Sequence, residues 1–190
     1  IEEIQDDLVA IIISHGHEDH AGAVAFFADK IQCPVYATSF AKLLIENRLK
    51  EFGKLESIEL KELNTKKNLK LQNFNLEFFE TTHSIPEPNA IVLNTLYGKL
   101  LHTADWKIDT SPTLGNKFKK EYFEDIGNDG LLALIGDSTN ADMPGFSRSE
   151  NEVKEELKNI FSRYSNRIVV TCFSSNIARM INIIYAAKKK

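Results

Sequence analysis

The chain has 190 residues, 43% hydrophobic and 26% charged, an ordinary globular balance that suits one domain or one domain and part of a second. A formal charge of −4 gives no bulk basic footprint for nucleic acid, although bound divalent cations would reverse the sign locally. No apolar run approaches the roughly 20 residues that span a bilayer, and no basic-then-apolar leader is visible, so no membrane partner is expected.

The first element in chain order is "LVAIIIS" (residues 8–14), a continuous β-branched run that predicts a strand buried on both faces. It ends at "HGHEDH". Ala21, Val24, Phe27, Ala28 and Ile31 then recur at helical spacing, so a helix is expected from about Asp19. "CPVYAT" predicts a second strand, and Thr38 or Ser39 can cap the helix "FAKLLIENRLKEF", which Gly53 stops. From Ser57 to Leu93 the pattern alternates with period two, and a turn at Tyr97-Gly98 leads into "KLLHTADW". "LLALIGDS" predicts another buried strand. Ser149 and Glu152 form a capping box before Val153, Leu157, Ile160 and Phe161. "RIVVTCF" and "NIARMINIIYAA" predict one more strand and helix, with Asn176 as N-cap. The α/β fold class follows: a sandwich with helices outside over the first two-thirds, then alternating α/β. Cys33 and Cys172 lie far apart in apolar surroundings, which predicts buried free thiols in a reducing, cytoplasmic setting.

Three of the five histidines fall within "HGHEDH". His15 and His17, two residues apart at a strand end, share a face and can converge on one ion. Asp19 and His20 begin the helix and point elsewhere, so one short segment can serve two metals. Neutral imidazoles beside a hard carboxylate suit Zn²⁺, with Mn²⁺ an alternative as oxygen ligands increase. A solvated turn with chance histidines is the alternative, and the density of ligand types behind a buried strand argues against it. Four residues cannot complete two coordination spheres, so distant ligands are required. His83, in "FFETTHSIPEPNA", follows a strand; Asp105, in "LLHTADWKID", stands at a strand end where it can bridge two ions. Seen alone, they would be a loop histidine and a turn aspartate. His102 is expected to support the site or the core rather than ligate, and Glu18 to face solvent.

"SHGHEDHAGA" resembles the His-x-His-x-Asp-His motif of the metallo-β-lactamase superfamily, and "TTHSIP" and "LLHTADWKID" resemble its next two metal motifs in order. "LIGDSTNADMPGFSRSE" and "RIVVTCFSSNIARM" resemble the β-CASP subgroup and, within it, the ribonuclease J family. The resemblance implies an incomplete αββα metallo-β-lactamase sandwich over residues 1–146, followed by the start of a β-CASP α/β domain at 147–190. It implies one metal on His15, His17 and His83, a second on Asp19 and His20, and Asp105 between them. Two Zn²⁺ per complete site are expected, with Mn²⁺ or Mg²⁺ as alternatives. Asp19, which would also orient the nucleophile, and Asp137, which would partner a histidine in protonating the leaving group, are the implied catalytic residues. The implied activity is hydrolysis of RNA phosphodiester bonds, from a 5′ end or internally, by water activated between two metals, in a homodimer or homotetramer. A DNA nuclease of the β-CASP group, a thioester hydrolase and a degenerate scaffold subunit are the competing readings. Ala104 stands where glycine is commoner in the family. Ile1 is no natural start, and several family parts are missing: the aspartate motif before "HGHEDH", the later β-CASP histidine motifs and the last ligand of the second metal. The chain is therefore expected to be a piece of a longer protein, inactive alone and holding one metal better than two.

Overall fold

The structure, a computed structural model, describes residues 3–190. Strands β1 (Ile11–Ile13), β2 (Val35–Ala37) and β3 (Leu60–Glu62) form a parallel sheet in that order. A second sheet runs β4 (Leu69–Leu71), β5 (Phe74–Glu80), β6 (Asn89–Thr95), β7 (Gly98–His102), β8 (Ala133–Ile135), with only the β7–β8 pair parallel. The helices are α1 (Glu18–Ala21), α2 (Ala23–Phe26), α3 (Ser39–Glu51), α4 (Lys120–Asn128), α5 (Glu150–Arg163) and α6 (Ile177–Lys188).

Period-two alternation sorts the side chains into layers. Ile11, Ile13, Val35, Ala37 and Leu60 pack with Val24, Ala25, Ala41, Ile45 and Leu49 of the first three helices. Ile12 points the other way, into an apolar groove shared with Leu76, Leu93 and Leu100, which are registered neighbours on β5, β6 and β7. On the far face of that sheet, Ala90, Val92 and Leu101 pack against Phe123 and Ile126 of α4. The order is helix, sheet, sheet, helix, the expected αββα sandwich in incomplete form.

Several local expectations are corrected. The helix foreseen from Asp19 is interrupted at Gly22, and Phe27 is 41% exposed while Ala25 takes the inward place. Thr38 holds the N-cap position of α3, yet its hydroxyl makes no capping bond. The cap comes from a distant loop instead: the Glu87 carboxylate accepts from the Phe40 N–H at 2.9 Å. Gly53 does end α3, at φ +66, with Lys54 N–H donating to Leu49 C=O at 2.8 Å. The β6–β7 turn falls at Leu96-Tyr97, one residue early, since Gly98 already pairs with Thr95. β8 is an edge strand beside β7, and Leu134 and Ile135 are exposed rather than buried. Ser149 caps α5 by accepting from the Asn151 N–H, but Glu152 is drawn to Arg148 and the capping box is half made. "RIVVTCF" forms no strand among the described residues. No strand pairs with it there, and Val169 (87%), Phe173 (83%) and Cys172 are exposed rather than buried. The closing part is thus the helix pair α5–α6, not an α/β alternation.

Candidate metal centre

β1 delivers its chain end to the mouth between the sheets. Ser14 and His15 follow it, Gly16 turns the chain, and His17 is the N-cap residue of α1, which carries Asp19 and His20 in its only turn. α3 passes close to Gly16: a Cβ there would stand 3.3 Å from Ala41 Cα and would push the Leu44 side-chain end, 2.9 Å away, aside. β5 and β7 run in the same direction, so the loops leaving them bring His83 and Asp105 to that same edge. These two loops are stitched together. Thr82 and Lys107 form an antiparallel bridge, Lys107 N–H donating to Thr82 C=O at 2.9 Å, and the Thr82 hydroxyl donates back to the Lys107 carbonyl.

Three ring nitrogens converge. His17 Nδ1 lies 3.1 Å from His15 Nε2 and 3.0 Å from His83 Nε2. Asp105 then spans two positions. Its Oδ2 is 3.5 Å from His83 Nε2 and 3.9 Å from His15 Nε2, while its Oδ1 is 3.2 Å from His20 Nε2. Asp19 Oδ2 lies 3.5 Å from the same His20 nitrogen. Ligands about 2.05 Å from a tetrahedral ion stand about 3.3 Å from one another, so these separations match the edges of two coordination polyhedra sharing a carboxylate. His15, His17, His83 and Asp105 form one group able to hold a metal ion; Asp19, His20 and Asp105 form the other. The donor sets, nitrogen-rich in the first and oxygen-rich in the second, suit divalent cations.

For three of the four rings, the nitrogen turned away from the cluster meets a serine hydroxyl. The Ser14 hydroxyl contacts His15 Nδ1 at 3.0 Å and His20 Nδ1 at 3.5 Å, one hydroxyl serving both groups. The Ser84 hydroxyl contacts His17 Nε2 at 3.3 Å, leaving Nδ1 toward the ion position. Burial, reinforced by the neighbouring imidazoles His20, His83 and His17, lowers the His15 pKa to about 3. Burial and His17 together lower that of His83 to about 4, against the opposing pull of Asp105 and Asp137. Both rings are therefore neutral near pH 7, the form that ligates.

Over nearly its whole length the chain is similar to ribonuclease J proteins. It is 38% identical to ribonuclease J 1 of Streptococcus pyogenes serotype M3 over 184 residues and 39% identical to ribonuclease J of Sinorhizobium meliloti over 189. Those alignments cover 97% and 99% of this chain but 33% of each relative, so the chain spans about a third of the length of the relatives it matches. A family model described as the metallo-beta-lactamase superfamily matches residues 1–106, which include all six clustered His and Asp residues. The chain belongs to the metallo-β-lactamase superfamily. A structure from Enterococcus faecalis V583, described as a protein of unknown function, shares the fold with a TM-score of 0.65 at 16% identity. It covers 93% of this chain, and 44% of that chain is covered in return.

The six candidates His15, His17, Asp19, His20, His83 and Asp105 lie together at one edge of the sheets. His102 stays outside both groups; its Nδ1 accepts from the Ala104 N–H at 3.0 Å. Glu18 is exposed, 3.7 Å from Arg48. Asp137 follows β8 and is tied to the Asp105 loop: its own N–H donates to Thr103 Oγ1 at 3.0 Å. Burial works to raise its carboxyl pKa, but the N–H and hydroxyl of Thr139, the N–H of Trp106 and the nearby His83 hold it below the ordinary value. Sequence reasoning passed over Ser14, Ser84 and a buried polar knot around Glu150. The serines stand next to their ligands in the chain, which is a signal; nothing in "SRSEN" marks Glu150 as buried.

Proposed function

We propose that the chain carries the metal centre of a ribonuclease of the ribonuclease J type, which hydrolyses RNA phosphodiester bonds by 5′-exonuclease or endonuclease action. The observation that carries the reading is Asp105, whose two oxygens face two different ligand groups. The similarity to ribonucleases J supports the choice of RNA, because it continues past residue 106 through "DSTNAD" and α6. The same continuation supports assigning 1–146 to the metallo-β-lactamase domain and 147–190 to the beginning of a β-CASP domain.

We assign His15, His17 and His83 to one metal, Asp19 and His20 to the other, and Asp105 to both, with Zn²⁺ as the metal and Mn²⁺ or Mg²⁺ as substitutes. Two bound cations supply Lewis acidity, a lowered water pKa and neutralising charge for the phosphodiester. The chain's residues do the rest. His15 and His83 arrive deprotonated because they are buried, so no proton must leave them for metal to bind. Asp19, its side chain 77% exposed, faces the open side of the centre, where it accepts a hydrogen bond from the attacking water and orients it. Asp137, kept ionised by its N–H donors, is an acceptor rather than a proton donor. Its role is to orient and stabilise the protonated imidazole that serves the leaving oxygen. We place the protein in the cytoplasm, where the free thiols of Cys33 and Cys172 stay reduced, as a homo-oligomer. Among the described residues no helix is long and apolar enough to cross a membrane.

The test is the full-length protein with 5′-monophosphorylated RNA, DNA of the same sequence, and a thioester. Cleavage of RNA alone, lost with a chelator and restored by Zn²⁺ or Mn²⁺, is the expected result. Equal cleavage of DNA, or hydrolysis of the thioester only, would replace this reading with the corresponding one.

A further inference from the structure

Behind the centre lies a cluster of charges that neither metal position uses. Glu150, the first residue of α5, is 5% exposed, and its carboxylate accepts a bidentate bond from Arg179 of α6: Nε to Oε2 at 3.2 Å, Nη2 to Oε1 at 3.0 Å. Lys107 Nζ approaches it at 3.5 Å, and the fully buried Asn182 donates to its carbonyl at 3.1 Å and its Oε2 at 3.3 Å. Asp109, 1% exposed, accepts from the Glu150 N–H at 3.0 Å and stands 3.3 Å from Lys107. Two buried acids and two partly exposed bases thus make a neutral, hydrogen-bonded knot. Holding two carboxylates out of water costs more than packing apolar side chains of the same size, so stability alone does not account for them. What such a knot provides is direction.

The direction leads to both isolated ligands. Lys107 and Asp109 belong to the loop that holds Asp105, two and four residues away. Arg179 sits in the first turn of α6, whose Ala178 N–H donates to the Ser84 carbonyl at 3.1 Å. Ser84 follows His83 directly, and its hydroxyl contacts His17 Nε2. From the knot, covalent and hydrogen-bonded steps run one way to Asp105 and the other way to His83 and His17.

We infer that Glu150 is a positioning residue for the metal pair: by clamping Arg179 and Lys107 it seats the α5–α6 helix pair on the two loops that carry His83 and Asp105, so the seating of those helices sets the affinity and geometry of both metal positions. The inference rests on the two-metal reading above. It makes the second domain a partner in metal binding rather than only a wall for substrate. Glu150→Gln keeps the shape and the bond to Asn182 but removes the charge that Arg179 and Lys107 share.

The experiment loads full-length wild type, Glu150→Gln, Arg179→Met and the double variant with Co²⁺, following the visible absorption band and the binding isotherm, with circular dichroism on each sample. The control is Glu152→Gln, an exposed position on the same helix turn. The single variants are expected to bind Co²⁺ about 10–100-fold more weakly with a shifted band, and the double variant no worse than either. Should Glu150→Gln fail to fold, Arg179→Lys, which keeps the charge without the planar fork, is expected to give the same shift in smaller measure. Variants with wild-type affinity and spectrum beside a loaded wild type would overturn the inference alone. A wild type that takes up no Co²⁺ would overturn the metal reading and the inference with it.

Discussion

His15, His17, Asp19 and His20 reach the centre on one loop from the first sheet, whereas His83 and Asp105 come singly on two loops of the second. The first set needs little help. A strand end, one glycine and the first turn of α1 place all four residues, and Ser14 beside them trims two of the rings. The second set is held by tertiary ties. The Thr82–Lys107 bridge joins the two loops, Thr103 ties the Asp105 loop to Asp137, and Lys107 and Asp109 of the same loop meet Glu150. Four clustered residues can thus be written in a short motif, while the placing of His83 and Asp105 depends on contacts scattered over the chain.

The largest effect should come from the one residue common to both ligand groups. Asp105→Ala in the full-length protein is expected to abolish RNA cleavage and lower the content of both metals while circular dichroism stays unchanged. Retention of two ions would show that the carboxylate does not join the groups. Asp137→Ala tests the margin of the second half. Turnover should fall by about 10²–10⁴-fold, the usual span for lost proton-transfer assistance, with metal content unchanged. Metal loss equal to that of Asp105→Ala would move Asp137 into the ligand set.

The same division decides what could be read in advance. That the six His and Asp residues would cluster was legible because they fall at or just after the ends of predicted strands. The αββα layering was legible in the alternation of β5 to β7 and in the helical spacing of Ala21, Val24 and Ala28. What stayed hidden depends on partners. "RIVVTCF" has the composition of a strand, but a strand exists only beside another, and none lies alongside it among the described residues. The cap of α3 by Glu87 and the burial of Glu150 involve residues far apart in sequence, and no local pattern announces either.

Acid should separate the buried histidines from the rest. Unfolded, His15 and His83 bind protons near pH 6.5; folded, they do so only near pH 3 and 4. Above pH 6.5 neither state holds the proton and there is no effect. As pH falls below 6.5 the unfolded chain takes up protons that the folded chain refuses, so stability is lost at about 1.4 kcal/mol per pH unit for each ring. Urea midpoints of the metal-free full-length protein between pH 6.5 and 4.5 should drop accordingly. In His15→Asn the slope should be shallower by one histidine. An identical slope in both proteins would mean that His15 titrates normally in the fold.

The smallest expected effect lies at Ala104, which precedes Asp105 and adopts φ +51, the left-handed region. An L-residue with a Cβ costs about 1–2 kcal/mol there. Ala104 is also 4% exposed, so removing its methyl forfeits about 0.8 kcal/mol of burial, and glycine adds about 0.4–1 kcal/mol of freedom to the unfolded chain. Relief and loss are of similar size, so Ala104→Gly should be neutral to within about 1 kcal/mol. Ala90 is a fair comparison, since it is fully buried on β6 with no left-handed strain to release. Ala90→Gly should cost about 1.5 kcal/mol under the same denaturation. Equal losses at the two sites would show that the turn holding Asp105 is unstrained. A smaller loss at Ala104 would show that alanine carries left-handed strain in the turn that holds Asp105.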